Sequence, residues 1–172
     1  MTLGFRRLGE EDLPMLHEWL QREHVKRWWS KHETFENVSE HYLPAILGSD
    51  PTQLYVIERD DRAAGFIQTY LVTDYPEYAA LTGAGEGVAG VDLFLAEEEQ
   101  TGRGFGSRVI AEFVRGVVFA TPTTTACVAD PDADNRASIR AFEKAGFAAI
   151  REFQDPHDDN RVHVLMRLER AS

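Results

Sequence analysis

Three glycines within five residues, Gly102, Gly104 and Gly106, separate two segments of different periodicity. The segment before them, "VAGVDLFLA" at 88–96, is typical of a β-strand, and the segment after them carries apolar residues at helical spacing to about residue 120. Glycine adopts unusual dihedrals and lets a ligand approach the main chain closely. A helix N-terminus offers unpaired N–H groups and the positive end of a dipole. This order of elements predicts an anion site, and phosphate is its usual ligand.

Two common phosphate-binding motifs do not fit the glycine segment. A P-loop needs a lysine after its last glycine, and no lysine follows here. A dinucleotide fingerprint needs a third glycine where Ser107 or Val109 stands, depending on the register. Arg103 and Ser107 are candidate donors, and a glycine-rich loop without a ligand stays an alternative.

The rest of the chain predicts a mixed α/β (α+β) domain. We expect a sheet with flanking helices in the order β-α-α-β-β-β-α-β-α-β-β. An irregular stretch at 28–32 interrupts the helical pattern, and 73–87 has no stable period, which predicts a loop able to close over a ligand. The predicted strands and hairpins lie at 3–8, 53–72, 88–96, 123–129 and after 146, and the helices at 9–24, 34–47, about 107–120 and 130–146.

Length and charge limit the possible functions. With 172 residues, we expect one domain spanning 1–172. A net charge of −11 argues against a nucleic-acid partner, permits a cationic substrate, and also fits a surface that is acidic only for solubility. No apolar run is long enough for a membrane span or a signal peptide, and the single cysteine, Cys127, cannot form an internal disulfide. We therefore expect a cytoplasmic protein, as a monomer or a homodimer.

Two motifs together carry a family resemblance. "TGRGFG" at 101–106 fits the pattern R/Q-x-x-G-x-G/A except at Thr101, and "NRASIRAFEKAGF" at 135–147 fits N-x-x-[AS]-x-x-x-[YF]-x-[KR]-x-G-F. This pairing, with the order of elements, resembles the GNAT superfamily of acyl-CoA-dependent N-acyltransferases over nearly the whole chain. The resemblance implies the GNAT fold, with a central sheet of about seven strands flanked by about four helices.

The same resemblance implies acetyl-CoA (coenzyme A) as the cofactor. In that fold the glycine loop holds the pyrophosphate, and the strand at 91–96 splays from the next strand so that its backbone can pair with the pantetheine arm. Thr101 lacks the family's stronger phosphate donor, for which Arg103 is a candidate substitute. The implied cofactor-binding residues are Phe94, Ala96, Thr101, Gly102, Arg103, Gly104, Phe105, Gly106, Ser107, Asn135 and Phe142.

Asp92 is an acid inside an apolar strand, which is an awkward place for a carboxylate. An edge position facing water is one explanation. The other is that Asp92 faces a cleft, binds an ammonium group and takes its proton before the amine attacks the thioester. We expect direct transfer in a ternary complex, with the oxyanion held by backbone N–H groups near Phe94.

Several longer segments, including "DLPMLHEWLQREHVKRWW" and "ADPDADNRASIRAFEKAGF", are similar to aminoglycoside 6′-N-acetyltransferases of the GNAT type. That similarity implies Asp92 as the base, and aminoglycosides as small cationic substrates, hence a role in antibiotic resistance. We expect one tryptophan of the pair Trp28 and Trp29 to pack in the core and the other to line the cleft. The implied substrate-binding residues are Trp28, Trp29, Gln68, Asp74, Glu77, Glu86, Asp92 and Asp130.

Phe142 is a departure from the family, which usually has a tyrosine there as general acid for the leaving thiolate. We therefore assign no side-chain acid. The histidines show no zinc spacing with the cysteine, and we expect no metal. Two other functions stay open: acylation of another amine, such as a siderophore hydroxylamine or a polyamine, and acyl-CoA binding without catalysis.

Overall fold

The computed structural model describes residues 1–29 and 34–172. Residues 30–32 of the predicted irregular stretch therefore lie outside the described residues. The strands are β1 Leu3–Arg7, β2 Gln53–Arg59, β3 Arg62–Leu71, β4 Val88–Leu95, β5 Ala126–Ala129, β6 Ala148–Asp155 and β7 Arg161–Glu169. The α-helices in the described residues are α1 Leu13–Leu20, α2 Glu23–Lys26, α3 Phe35–Leu47, α4 Pro76–Thr82, α5 Phe105–Gly116 and α6 Arg136–Lys144.

The strands form one seven-stranded mixed sheet in the order β1-β2-β3-β4-β5-β7-β6. β4 and β5 are parallel, while β1 with β2, β5 with β7 and β6 with β7 are antiparallel. Six α-helices in the described part of the chain accompany the sheet. This confirms the predicted mixed fold, with α2 and α4 in addition to the predicted helices.

Local sequence signals explain several element boundaries. Thr34 caps α3, because its side chain accepts a hydrogen bond from the Asn37 N–H at 3.1 Å. The β2–β3 hairpin turns at Asp60 and Asp61, both with positive φ, and acidic residues tolerate that conformation better than most. The predicted hairpin at 53–72 is therefore confirmed.

The prediction of a loop at 73–87 is wrong in part. A 3-10 turn at Val72–Asp74 leads into α4, which begins with Pro76 and ends before Gly83 in a left-handed conformation. Seven residues are too few for a helical period to stand out in the sequence. The buried residues of α4 and its flanks, Thr82 and Ala84, hold the segment against the protein.

The chain divides into two compact units, and the prediction of one domain stays a prediction. The first unit, Met1–Gln68 with Leu93–Glu98, has a core in which Phe66 is central. Phe66 stacks on Phe94 with ring centroids 5.6 Å apart and meets Tyr42 and Trp29 edge-on. These aromatic contacts fix the end of β4 within this unit.

The second unit comprises Thr69–Asp92 and Glu99–Ser172. One face of α5 is buried and includes Val109, Ile110 and Phe113, and α5 packs on α6. β5 is completely buried, including Cys127, whose pKa is raised strongly by burial. A buried thiol with a raised pKa is a core residue and not an activated nucleophile.

No helix in the described residues is both long enough and apolar enough to cross a membrane.

We predict that Phe66→Ala destabilises the protein by about 3–5 kcal/mol, because it removes a fully buried ring and its three aromatic contacts. Phe35→Ala is the matched control, since that phenylalanine is 41% exposed, and it should cost less than about 1 kcal/mol. Urea unfolding of both variants measures the difference, and equal losses would contradict the central position of Phe66.

Candidate active site

The glycine loop leads directly into α5. Gly102 and Gly104 have φ of 73° and 85°, and Gly104 is the N-cap residue. A side chain at either position would meet no atom within 4 Å, so glycine is needed there for its dihedral and not for space. The exposed loop therefore presents its backbone outward at a helix N-terminus.

The N-terminus of α5 differs from those of α3 and α6 because no side chain caps it. Thr34 caps α3, and Asn135 caps α6 by accepting a hydrogen bond from the Ser138 N–H at 3.2 Å. The N-cap of α5 is a glycine with no side-chain cap hydrogen bond, and a helix N-terminus of this kind suits an anion. Asn135 serves its own helix, and its predicted cofactor contact stays a prediction.

The polar residues of the loop have different partners. The Ser107 hydroxyl donates to the Gly104 carbonyl at 2.9 Å. Arg103 is exposed, as is Thr101, the residue that departs from the family pattern. Arg103 stays the predicted substitute for the family's phosphate donor, while Arg108 pairs with Glu112 at 3.3 Å.

The parallel pairing of β4 with β5 is short. It joins Val88–Gly90 to Ala126–Val128, and β4 continues past it through Asp92 to Leu95. The pairing runs only as far as Gly90 and Val128, which agrees with the expected separation of the two strands. A strand that leaves its neighbour exposes backbone hydrogen-bonding groups. Asp92 lies two residues beyond the last pair.

In the first unit, the end of β4 is already engaged. The Ala96 N–H donates to the Ala64 carbonyl at 2.9 Å, and the Ala96 carbonyl accepts from Arg22 at 2.7 Å. Phe94 is buried, and its ring belongs to the aromatic core of this unit. The predicted cofactor contacts of Phe94 and Ala96 stay predictions, and for Ala96 both backbone groups have protein partners.

The tryptophans and Gln68 also belong to the first unit. Trp29 packs edge-on against Phe66 and Phe94, so it is the packing member of the pair. Trp28 and Gln68 are half-buried. Their predicted substrate contacts, and that of Trp29, stay predictions.

Phe142 lies inside the second unit and not on its surface. It is 2% exposed and packs edge-on against Phe147 with centroids 5.1 Å apart. No hydroxyl group is present at this position, so the family's acid has no direct replacement here. Phe105, at the start of α5, is also buried.

The second unit brings two of the predicted acids into one cluster through tyrosines. The Tyr78 hydroxyl donates to the Asp130 carboxylate at 2.7 Å. The Tyr70 hydroxyl lies within hydrogen-bonding reach of both Asp92 and Tyr78, and its ring meets the Tyr78 ring edge-on with centroids 5.9 Å apart. Asp92, Tyr70, Tyr78 and Asp130 thus form a continuous series, which we call the acid–tyrosine series.

Burial raises the pKa of Tyr70 well above its ordinary value of 10, and the negative charges of Asp92 and Asp130 raise it further. Burial raises the pKa of Tyr78 in the same way, with contributions from Tyr70 and Asp130. Both phenols therefore stay protonated at neutral pH, where they serve as hydrogen-bond donors to the carboxylates.

Gly90 makes room for this series. A Cβ at Gly90 would lie 2.5 Å from two ring carbons of Tyr70, closer than atoms approach. The Gly90 carbonyl accepts from the Thr69 hydroxyl at 2.9 Å, which fixes the neighbouring backbone. The absence of a side chain at Gly90 therefore places the Tyr70 ring.

His163 holds the other side of Asp130. Its Nδ1 lies 2.9 Å from Asp130 Oδ2 and its Nε2 lies 2.8 Å from Asp158 Oδ2. Burial by itself lowers the pKa of His163, but the hydrogen bonds and charges of Asp130 and Asp158 outweigh it and raise the pKa to about 9. His163 is therefore an imidazolium at neutral pH, donating from both ring nitrogens.

The remaining predicted acids lie on the surface of the second unit. Asp74, Glu77 and Glu86 are exposed. Glu77 pairs with His157 at 2.8 Å, which connects α4 to the turn between β6 and β7. The structure does not gather these three into the acid–tyrosine series, and their predicted substrate contacts stay predictions.

Four acids near His163 have the residue types that can hold a metal ion. Asp130, Asp155 and His163, and likewise Asp132, Asp158 and His163, bring possible ligand atoms within 4.8 Å of one another. Both His163 nitrogens already meet carboxylates, and Arg161 pairs with Asp132 at 2.5 Å. His163 and Arg161 thus pair with three of these four acids, and we assign no metal ion to them.

Sequence reasoning missed Tyr70, Tyr78 and His163. Tyr78 lay in the segment predicted as a loop, where no period marked which side chains turn inward. His163 had one weak signal, because it interrupts the otherwise apolar alternation of "RVHVLM". Its partners Asp130 and Asp158 are close to it only in the folded chain.

A family profile described as an acetyltransferase (GNAT) domain matches residues 9–155. The chain therefore belongs to the GNAT acetyltransferases, enzymes whose acetyl donor is acetyl-CoA. Within that family it is similar to an aminoglycoside N(6′)-acetyltransferase type 1 of Klebsiella pneumoniae, at 34% identity over 149 residues, 85% of this chain and 74% of the relative.

Solved structures show the same similarity. A crystal structure of the aminoglycoside acetyltransferase AAC(6′)-Ib with coenzyme A has a TM-score of 0.86 at 30% identity, covering 98% of this chain and 95% of that one. The structure of that enzyme with coenzyme A and kanamycin has a TM-score of 0.85 at 30% identity and the same coverage.

We predict that Gly90→Ala costs about 1–3 kcal/mol of folding free energy, because the added methyl group overlaps the Tyr70 ring. Gly116→Ala is the matched control, since a Cβ there meets no atom within 4 Å and alanine favours the helix. Urea unfolding measures both, and an unchanged stability of Gly90→Ala would show that the Tyr70 ring moves freely.

We predict that His163 stabilises the fold most at low pH. Its pKa is about 9 in the folded protein and about 6.5 when unfolded, so its contribution, about 3 kcal/mol, is complete below pH 6.5 and is lost as pH rises through 9. The difference in unfolding free energy between wild type and His163→Gln should shrink from pH 6 to pH 10. A difference independent of pH would contradict the imidazolium assignment.

Proposed function

We propose that this acetyltransferase acts on the 6′-amine of aminoglycoside antibiotics, by direct transfer from acetyl-CoA in a ternary complex. The observation that carries the proposal is the position of Asp92. This carboxylate lies beside Tyr70 in the acid–tyrosine series and two residues past the last β4–β5 pair. The similarity to aminoglycoside N(6′)-acetyltransferases over most of the chain supports the substrate class.

Coenzyme A binds, in this proposal, with its pyrophosphate at the N-terminus of α5. The position of the glycine loop at the start of α5 and the positive φ of Gly102 and Gly104 support this placement, because glycine lets an anion approach the main chain at the positive end of the helix dipole. Arg103 adds the positive charge that Thr101 does not supply. The pantetheine arm then follows β4 beyond Gly90.

Asp92 acts as the base. An aminoglycoside amine arrives as an ammonium group, so one proton moves to the Asp92 carboxylate before the nitrogen lone pair attacks the thioester carbon. Collapse of the tetrahedral intermediate breaks the C–S bond and leaves its electron pair on sulfur. The nitrogen gives up a second proton, which balances the thiolate.

The charge of the protein supports a polycationic substrate. Aminoglycosides carry several ammonium groups, and a net charge of −11 attracts them from solution. The exposed acids Asp74 and Glu86 are suited to meet the outer amines. Asp130 is less suited to bind an ammonium group directly, since Tyr78 and His163 occupy both of its oxygens.

A thiol-release assay tests the proposed substrate class. The protein with acetyl-CoA should release thiol with kanamycin, and much more slowly with spermidine or a hydroxylamine. Product analysis by NMR should place the acetyl group on the 6′-nitrogen. Turnover restricted to spermidine or the hydroxylamine would assign the enzyme to another amine, and no turnover despite coenzyme A binding would favour a binding protein.

Asp92→Asn tests the base. We expect kcat to fall at least about 100-fold, because the amide cannot accept the proton, while the Kd for coenzyme A stays unchanged. Asp61→Asn, in the β2–β3 turn, is the matched control and should behave as wild type. An Asp92→Asn variant with wild-type kcat would exclude Asp92 as the base.

A further inference from the structure

The hydrogen bonds of the second unit extend the acid–tyrosine series to the protein surface. From Asp92 the path runs through Tyr70 and Tyr78 to Asp130, and from Asp130 through His163 to Asp158. Asp158 has a side chain 27% exposed, whereas those of Asp130 and His163 are about a tenth exposed. Neighbouring polar side chains therefore connect Asp158 at the surface with Asp92, the proposed base.

Asp130 is the central member of this path. Tyr78 donates to its Oδ1 at 2.7 Å and His163 to its Oδ2 at 2.9 Å, and the His163 Nδ1 also lies 2.7 Å from the Asp130 carbonyl oxygen. These contacts hold the carboxylate and the main chain of Asp130 together. The direction in which Tyr78 donates therefore depends on where His163 holds Asp130.

The direction in which Tyr70 donates depends in turn on Tyr78. Each phenol has one proton to give. Because Tyr78 gives its proton to Asp130, the Tyr70 proton is available to Asp92, which as a carboxylate can only accept. If Asp130 were displaced, Tyr78 could instead donate to Tyr70 or turn away, and the hydrogen bond that orients Asp92 would change.

We propose that His163, as an imidazolium, is a positioning residue for Asp92, acting through Asp130, Tyr78 and Tyr70. This inference rests on the proposed function, since it concerns the same base. It adds that the catalytic carboxylate is oriented from the far side of the second unit, by a cation that never touches the substrate. Deprotonation of His163 removes one donor, releases one partner carboxylate and loosens Asp130.

The groups that face His163 are predominantly acidic. Asp130 lies at the end of β5, Asp132 in the segment after it, Asp155 at the end of β6 and Asp158 in the turn between β6 and β7. Arg161 of β7 is the nearby cation and is paired with Asp132, while the ring of Phe153 lies 5.9 Å away. His163 is therefore the cation of this cluster whose charge changes between pH 6 and pH 10.5.

The test compares kcat and kcat/KM from pH 6 to pH 10.5 for the wild type and three variants. His163→Gln removes the cation, Tyr78→Phe breaks the path while leaving His163 between its carboxylates, and His17→Gln, in α1, is the control histidine. Titration of the substrate amine is common to all four proteins and cancels in the ratio to wild type. Circular dichroism confirms that each variant is folded at the assay temperature.

We expect kcat/KM of the wild type to fall as pH rises through about 9, and both His163→Gln and Tyr78→Phe to lack this decrease. At pH 7 both variants should lose about tenfold in kcat with an unchanged KM for acetyl-CoA. His17→Gln should follow the wild type. A decrease that persists in His163→Gln, or that persists in Tyr78→Phe alone, would overturn the proposal.

A measurement without substrate separates this inference from the proposed function. The carboxyl ¹³C signal of Asp92, assigned with Asp92→Asn, should show an inflection near pH 9 in the wild type and none in Tyr78→Phe, while the His163 signals of Tyr78→Phe still titrate near 9. If the protein does not acetylate aminoglycosides but shows this inflection, only the proposed substrate class is refuted. A wild-type Asp92 signal without the inflection refutes the positioning role.

Discussion

The carboxylate of Asp130 accepts one hydrogen bond from Tyr78 and another from His163, and the arrangement of the second unit around the candidate base depends on these two bonds. A buried carboxylate is costly unless it is paired, and here a phenol and an imidazolium share that task. The protonated histidine in turn needs a second acid, which Asp158 supplies. The pairing therefore joins β5, α4, β7 and the turn before β7 around one side chain.

The acids of the second unit therefore have different surroundings. Asp92 lies two residues beyond the last β4–β5 pair, beside Tyr70. Asp130 keeps its neighbours in position. Asp74 and Glu86 are exposed, while the exposed Glu77 pairs with His157. The acids that give the sequence its net charge thus separate into those within the acid–tyrosine series and those on the surface.

The sequence predicted those features that depend on neighbouring residues. The strand, the glycines and the helix were recognisable because each has its own local pattern, and the structure confirms β4, the left-handed Gly102 and Gly104, and α5 in that order. The family motifs at 101–106 and 135–147 were readable for the same reason. The short helix α4 was not predicted, since its stability comes from tertiary contacts and not from a period of its own.

By itself, the sequence determined the fold class, the glycine loop as a candidate phosphate site, and Asp92 as an acid in an unusual place. Only the tertiary structure decided which groups surround that acid. Tyr70, Asp130 and His163 are separated along the chain by up to 93 residues (163 − 70), and no local pattern records that they will meet. Hydrogen bonds and burial act over a few ångströms in space, so the partners of Asp92, and the charge of His163, follow from folding and not from sequence order.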